Sequence, residues 1–191
     1  ADIVNFTAMS EKMTPSQNFN FLNSYLGRMV PLIEKRGGFI DKFIGDGIMA
    51  LFPRSGEDAV YAAYDMLTEL YRYNEHRRLQ GFEPISLGIG IHKGPLMLGT
   101  IGSENRMDST VISDTVNIAA RLEKLNRSWK TAILTTEAVV QDLQGDDFLI
   151  RLAGELAVRG KQKEVLIYEI GLVRDEEAVR LWLSSQAALE A

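Results

Sequence analysis

The segment 37–52, GGFIDKFIGDGIMALF, restricts the fold of this chain more than any other stretch. Two apolar runs, 39–44 and 48–52, flank Gly-Asp-Gly, and Asp-Gly between apolar runs is the strongest short-range signal for a β-hairpin. We therefore predict a hairpin with Asp46 held out at its tip by glycines that permit close backbone approach. Lys42 falls in a strand that otherwise reads as buried, where a charge needs a partner or a function.

Composition narrows the classes of function. The chain has 191 residues, enough for one domain with a sizeable core, and no apolar run approaches the roughly 20 residues of a membrane span. A net charge of −5 argues against binding to nucleic acid or an anionic membrane. The absence of cysteine excludes disulfides and thiolate chemistry and is compatible with a cytoplasmic location. With two histidines, any metal is expected on carboxylates, which favours Mg²⁺ or Mn²⁺.

The order of predicted elements indicates the fold class. A strand at 1–4 and a turn at 5–7 precede a helix that Thr14, Pro15 and Gln17 should start with a capping box. The hairpin, a helix from Ser55 and a strand at 85–91 complete the order β–α–β–β–α–β. This is the ferredoxin-like order of an α+β protein, not of a doubly wound parallel sheet.

The rest of the chain adds further elements to this core. Strands are predicted at 96–101, 109–112, 131–134, 148–158 and 164–170, and helices at 116–125, 136–143 and 175–191. No linker or repeat interrupts 1–191, so we expect one domain with the last helix as an appendage. Because the chain begins abruptly inside a strand, an upstream regulatory domain is expected to be missing.

Two aspartates form the first candidate site. Asp2 ends the first strand and Asp46 tips the hairpin, and the ferredoxin-like order places that strand beside the hairpin. Each aspartate alone is more often a turn residue or helix cap, but two meeting carboxylates form an oxygen-ligand site for one or two divalent ions. The backbone N–H groups of 3–7 would offer a phosphate cradle nearby.

A second candidate group lies on the predicted helix at 116–125. Asn117 and Arg121 are four residues apart and therefore share one helix face. An arginine can bind a phosphate and stabilise the charge that develops on it in the transition state, and an asparagine can form a hydrogen bond with a sugar hydroxyl. Taken alone, both residues are better read as surface side chains. Residue types and spacing thus predict a divalent-metal site that binds a phosphorylated ligand. They do not identify the reaction at that site.

Four blocks identify a family resemblance. Residues 1–7 (ADIVNFT), 41–46 (DKFIGD), 88–95 (GIGIHKGP) and 110–123 (TVISDTVNIAARLE) resemble, in this order, the catalytic domain of class III nucleotidyl cyclases. The resemblance runs from residue 1 to about residue 171. It implies that Asp2, Asp46 and the Ile3 carbonyl bind two divalent cations, Mg²⁺ or Mn²⁺.

The same resemblance assigns the substrate contacts. Lys42 and Thr110 match the pair that selects adenine, in a subclass that is often bicarbonate-responsive, and Phe6 and Thr7 belong to the phosphate turn. Asn117 matches the ribose-orienting asparagine and Arg121 the transition-state arginine. Arg159 stands where the family usually has a triphosphate-binding lysine, and Lys161 is the fallback for that role. Asn5, Ser113 and Lys93 depart from the common family residues without removing a catalytic group.

The implied function is an adenylyl cyclase that converts ATP into 3′,5′-cyclic AMP and pyrophosphate. The resemblance further implies a homodimer with two shared sites, no nucleic-acid partner, and a membrane link only through absent upstream regions. Three alternatives remain open: a guanylyl cyclase, which Lys42 and Thr110 disfavour; a catalytically silent cyclase-like signalling module; and an unrelated phosphotransferase or polymerase palm on the same core.

Overall fold

The computed structural model describes residues 1–103, 106–157 and 164–172. Residues 100–103, 106–110 and 112 are described by their backbone alone. The helices are α1 (Phe6–Ser10), α2 (Pro15–Lys35), α3 (Gly56–Leu79), α4 (Asp114–Trp129) and α5 (Glu137–Val140). The strands are β1 (Asp2–Ile3), β2 (Phe39–Ile44), β3 (Gly47–Leu51), β4 (Leu87–Ile91), β5 (Met97–Ser103), β6 (Arg106–Ile112), β7 (Ile133–Thr136), β8 (Phe148–Leu156) and β9 (Val165–Leu172).

The strand order confirms the ferredoxin-like α+β core. β1 pairs antiparallel with β4, and two backbone hydrogen bonds join it to the hairpin: Ala1 N donates to Ile48 O at 3.0 Å and Ile48 N to Ala1 O at 2.8 Å. The core strands therefore run in the spatial order β2–β3–β1–β4. On the other side of β4 the sheet continues through β7, β9 and β8, while β5 and β6 form a separate hairpin.

Strand β2 differs from the prediction of a buried strand. Its side chains Phe39, Phe43 and Ile44 are exposed, because β2 is the outer strand of its hairpin and pairs with β3. The register of the β2–β3 ladder shifts between Ile40 and Lys42, which leaves Asp41 as the extra residue of a β-bulge. In the single chain, Ile40 of β2 packs against the core, whereas the apolar side chains Phe39, Phe43 and Ile44 are left exposed.

Helix α2 begins with the predicted capping box. Thr14 accepts a hydrogen bond from the Gln17 backbone at 3.2 Å, and the Gln17 side chain accepts one from Thr14 N at 2.8 Å. The helical spacing of Leu22, Leu26, Met29 and Ile33 predicts one buried face. The observed face is displaced from it, since Phe21 and Tyr25 are buried and Leu22 and Leu26 are only partly buried. Met29 and Ile33 are buried as predicted, and Tyr25 is fully enclosed.

Helices α3 and α4 cover the sheet. For α3, the spacing of its apolar residues predicts one buried face. The structure confirms it: the buried residues include Ala59, Ala63, Met66, Leu70 and Tyr73. The small residues of β4 allow α4 to approach closely: a Cβ on Gly90 would lie 2.2 Å from the Ala119 carbonyl oxygen. Since real Cβ atoms do not approach backbone that closely, glycine at this position sets the distance between α4 and the sheet.

Some predictions fall outside the described residues. These are residues 104–105 of a polar tip that the sequence predicts at 102–106, Arg159 and Lys161, and the helix at 175–191. Within the described ranges, no helix combines the length and apolarity needed to cross a membrane.

Candidate active site

Asp46 lies at the turn between β2 and β3, but it is not held out into solvent. The residue is 8% exposed, and its Oδ2 accepts a hydrogen bond from the Ile3 backbone N–H at 2.9 Å. The Asp2 Oδ1 lies 3.1 Å from the same nitrogen. The turn folds back onto β1 because Gly45, with φ +65°, adopts the left-handed backbone conformation that glycine favours. The two predicted carboxylates therefore meet.

Their proximity changes the protonation of Asp46. Burial, and after it the hydrogen bond with Asp2, together raise the pKa of Asp46 to about 7. When a buried carboxyl group lies beside a second carboxyl group, ionisation of one disfavours ionisation of the other. In the metal-free protein Asp46 is therefore partly protonated near neutral pH.

This donor set fits a hard divalent cation. A buried carboxylate requires a compensating cation, and closely spaced carboxylate oxygens are the ligands that Mg²⁺ and Mn²⁺ prefer. The Ile3 N–H lies beside both carboxylates. The oxygens of Asp2 and Asp46 would suit such an ion, and the assignment of the Ile3 carbonyl as a further ligand stays a prediction.

The structure adds a third carboxylate that sequence reasoning missed. Burial raises the pKa of Glu123, and the nearby charge of Asp2 adds to the shift. Glu123 lies on the side of α4 that faces β4, since its backbone N is near Gly90 and its carboxyl near Gly88. A charged residue on an otherwise apolar helix face, next to Ala119 and Leu122, was the signal that could have found it.

The predicted phosphate cradle is shorter than residues 3–7. The N–H of Ile3 already binds Asp46, and the N–H of Val4 donates to the Ser86 carbonyl at 2.9 Å. The predicted turn continues as helix α1, whose first N–H groups have no partner within the helix. Phe6 and Thr7 occupy this first turn, so a role for their N–H groups in binding phosphate stays a prediction.

Asn5 makes the bend between β1 and α1. Its φ of 62° is left-handed, and its side chain forms no capping hydrogen bond. Asparagine and glycine tolerate this region, whereas other residues pay about 1–2 kcal/mol. We expect Asn5→Gly to leave the free energy of unfolding within about 0.5 kcal/mol and Asn5→Ala to lower it by about 1 kcal/mol. Urea unfolding measures both; an Asn5→Ala protein as stable as Asn5→Gly would contradict a backbone role.

The residues predicted to read the purine lie on two hairpins. Lys42 is on β2, its side chain 38% exposed and its Nζ 3.3 Å from the Asp41 carboxylate. Thr110 is on β6, where its backbone is in register with Gly99 of β5. Their approach to one another is not among the described contacts, so their joint role stays a prediction.

Asn117 and Arg121 project from the outer face of α4, as predicted. The helix contacts β4 through Ala119, Leu122, Glu123 and Asn126. With about 100° per residue, Asn117 and Arg121 point to the opposite side, and both are exposed. A helix is roughly 10 Å across, so this face turns away from the sheet that carries Asp2.

A groove of about 700 Å³ runs between β3, α3, β4 and α4. Of the described side chains, Asp2, Met49, His92 and Glu123 border it, and most of the others are apolar. Lys42, Asp46, Asn117 and Arg121 are not among the described residues that line it. Among the described residues, this groove therefore does not bring Lys42, Asp46, Asn117 and Arg121 together.

Comparisons with known proteins fit this geometry. The family model for the adenylate and guanylate cyclase catalytic domain matches residues 1–171. An adenylate cyclase of Anabaena cylindrica is 46% identical over 176 residues, covering 88% of this chain and 35% of the relative. The terminal-differentiation-specific adenylate cyclase of Dictyostelium discoideum is 40% identical over 179 residues, 89% of this chain and 8% of the relative. The chain therefore spans a minor part of these relatives.

Solved structures show the same fold. The adenylyl cyclase CyaB from P. aeruginosa superimposes with a TM-score of 0.75 at 30% identity, covering 92% of each chain. The guanylyl cyclase Cya2 gives 0.76 at 30% identity, with 92% of this chain and 90% of that chain covered. This chain therefore belongs to the family of adenylate and guanylate cyclase catalytic domains.

Proposed function

We propose that this domain is an adenylyl cyclase that forms 3′,5′-cyclic AMP and pyrophosphate from ATP. The contact between Asp2 and the buried Asp46 carries the proposal, because two meeting carboxylates beside the β2–β3 turn supply the metal site that phosphoryl transfer requires. The relatives at 46% and 40% identity are named adenylate cyclases. The fold alone does not choose the base, since an adenylyl and a guanylyl cyclase superimpose equally well; the choice of adenine rests on Lys42 and Thr110.

In the proposed reaction the ribose 3′-hydroxyl attacks the α-phosphorus and pyrophosphate leaves. When bound, divalent cations lower the pKa of that hydroxyl and neutralise phosphate charge. Lys42 donates a hydrogen bond to the adenine ring, Asn117 orients the ribose, and Arg121 stabilises charge that develops on the α-phosphate. N–H groups of the first turn of α1 contact the phosphates, with Arg159 or Lys161 on the triphosphate.

The proposed active enzyme is a two-fold homodimer with two shared sites. Asn117 and Arg121 face away from the sheet of their own chain, so they would complete the metal site of a second copy. The exposed apolar side chains of β2 and of the β5 region, including Phe43, Ile44, Met97 and Leu98, supply a surface for such an association. A two-fold axis would place each Arg121 at the partner's aspartates.

The direct test is incubation with ATP and Mn²⁺ followed by detection of cyclic AMP. Formation of cyclic AMP and pyrophosphate in equal amounts supports the proposal. A folded, dimeric protein without this activity would favour the silent signalling module. Transfer of the γ-phosphate instead would favour an unrelated phosphotransferase.

The base assignment predicts a change of substrate in a double variant. Lys42→Glu with Thr110→Cys replaces a donor to adenine by an acceptor for guanine, so we expect the ratio of kcat/KM for GTP to that for ATP to rise at least about tenfold. Steady-state rates of cyclic AMP and cyclic GMP formation measure it. Lys35→Glu, on the exposed end of α2, is the charge-matched control. An unchanged ATP preference would refute the assignment of Lys42 and Thr110.

A further inference from the structure

Asp41, the residue before the proposed base-reading lysine, has a buried side chain that the reaction described above does not use. We infer that Asp41 is a positioning residue that aims the Lys42 ammonium at the purine and thereby contributes to the selection of ATP. This inference rests on the proposed function of Lys42. It assigns no contact between Asp41 and the substrate.

The backbone makes this pair possible. In a regular strand, consecutive side chains point to opposite faces of the sheet. Here the ladder skips from Ile40–Ala50 to Lys42–Met49, so Asp41 has no partner residue on β3. A β-bulge of this kind re-aims side chains and is over-represented beside active sites. As a result, the Asp41 Oδ2 and the Lys42 Nζ lie 3.3 Å apart although the residues are adjacent.

The two side chains are unequally buried, and this difference decides which of them is fixed and which reaches toward solvent. The Asp41 side chain is 6% exposed and the Lys42 side chain 38%. The Asp41 Oδ2 accepts no hydrogen bond of good geometry from the described residues. A buried carboxylate oxygen in this state needs a nearby cation, and Lys42 supplies it. Asp41 is thus the fixed member of the pair, and Lys42 is the member that reaches toward solvent.

A fixed carboxylate beside a half-exposed ammonium restricts the rotamers of the lysine. An ammonium has three donors, so contact with Asp41 is compatible with a hydrogen bond from Lys42 to the purine. Fixing the lysine before the nucleotide arrives lowers the entropy lost on binding. Asp41 should therefore affect recognition of the base and leave the chemistry at the α-phosphate unchanged.

The test compares Asp41→Asn with wild type on ATP and on 1-deaza-ATP, whose ring carries C–H in place of N1. Asparagine keeps the shape of the side chain and removes its charge. We expect kcat/KM for ATP to fall about fivefold through KM, with kcat unchanged, and kcat/KM for 1-deaza-ATP to change less than about twofold. Asp41→Glu, which retains the charge, should recover most of the ATP activity.

A double-mutant cycle with Lys42→Ala separates positioning from a structural role. If Asp41 acts through Lys42, Asp41→Asn has no further effect in the Lys42→Ala background. Asp65→Asn is the matched control, because it breaks the half-buried Arg36–Asp65 ion pair of α2 and α3; it should lower thermal stability and leave the ratio of the two substrates unchanged.

Two results would overturn the inference. One is an equal loss on ATP and 1-deaza-ATP in Asp41→Asn, and the other is a full effect of Asp41→Asn without Lys42. Both leave the proposed function intact, since wild type would still form cyclic AMP. A wild-type protein that forms none would remove the proposed function together with this inference.

Discussion

Asp46→Asn is expected to lower cyclic AMP formation about a thousandfold and to leave the metal-free fold at least as stable as wild type. Asparagine keeps an oxygen for the Ile3 N–H and removes the buried carboxylate charge. Loss of a metal ligand costs several kcal/mol of transition-state stabilisation, which corresponds to about three orders of magnitude in rate. Initial rates with Mn²⁺, and thermal unfolding with a chelator, measure the two effects.

The pH dependence of stability is the control for this variant. The folded-state pKa of Asp46, about 7, lies above the usual value for a free carboxyl, so the folded protein binds a proton more tightly than the unfolded chain. Its contribution to stability is complete below the unfolded pKa and is lost as the pH rises toward 7. Metal-free wild type should therefore lose stability across this range more steeply than Asp46→Asn. Equal slopes, or an active Asp46→Asn enzyme, would contradict the site.

Arg121→Ala should reduce kcat by about 10²–10³ and leave the KM for ATP nearly unchanged, because an arginine that meets developing charge acts in the transition state. Since the side chain is exposed on α4, the free energy of unfolding should change by less than about 0.5 kcal/mol. Stopped assays over a range of ATP concentrations, with urea unfolding in parallel, separate the two quantities.

Arg127→Ala is the matched control, because Arg127 is an exposed arginine in the last turn of the same helix. It should retain activity close to wild type. A similar loss of kcat in both variants would show that α4 needs positive charge in general, and would remove the specific role of Arg121.

Local sequence signals predicted most of the fold. The capping box of α2, the Asp-Gly hairpin and the apolar face of α3 each involve residues close in the chain, and all three are confirmed. The exposure of β2 could not be predicted in this way. Its apolar pattern is that of a buried strand, but burial depends on which element covers it, and in the single chain none of the described elements covers Phe43 or Ile44.

One part of the site, the contact between two aspartates, was predictable because it follows from the order of the strands. The ferredoxin-like order sufficed to predict that Asp2 and Asp46 meet. It did not reveal that Asp46 is buried, because a turn residue is normally exposed, nor that the Ile3 and Val4 N–H groups are already bonded. The Asp41 bulge was likewise hidden, since a one-residue register shift leaves no mark in the apolar pattern.

We propose that one chain supplies the metal-binding aspartates and another supplies Arg121. Mixing the Asp46→Asn and Arg121→Ala proteins under conditions that exchange subunits tests it most directly. In a mixed dimer one site carries both defects and the other carries neither, so random pairing predicts recovery of about a quarter of the wild-type specific activity. A mixture no more active than the two variants assayed separately would contradict the claim, because it would mean that both groups act within one chain.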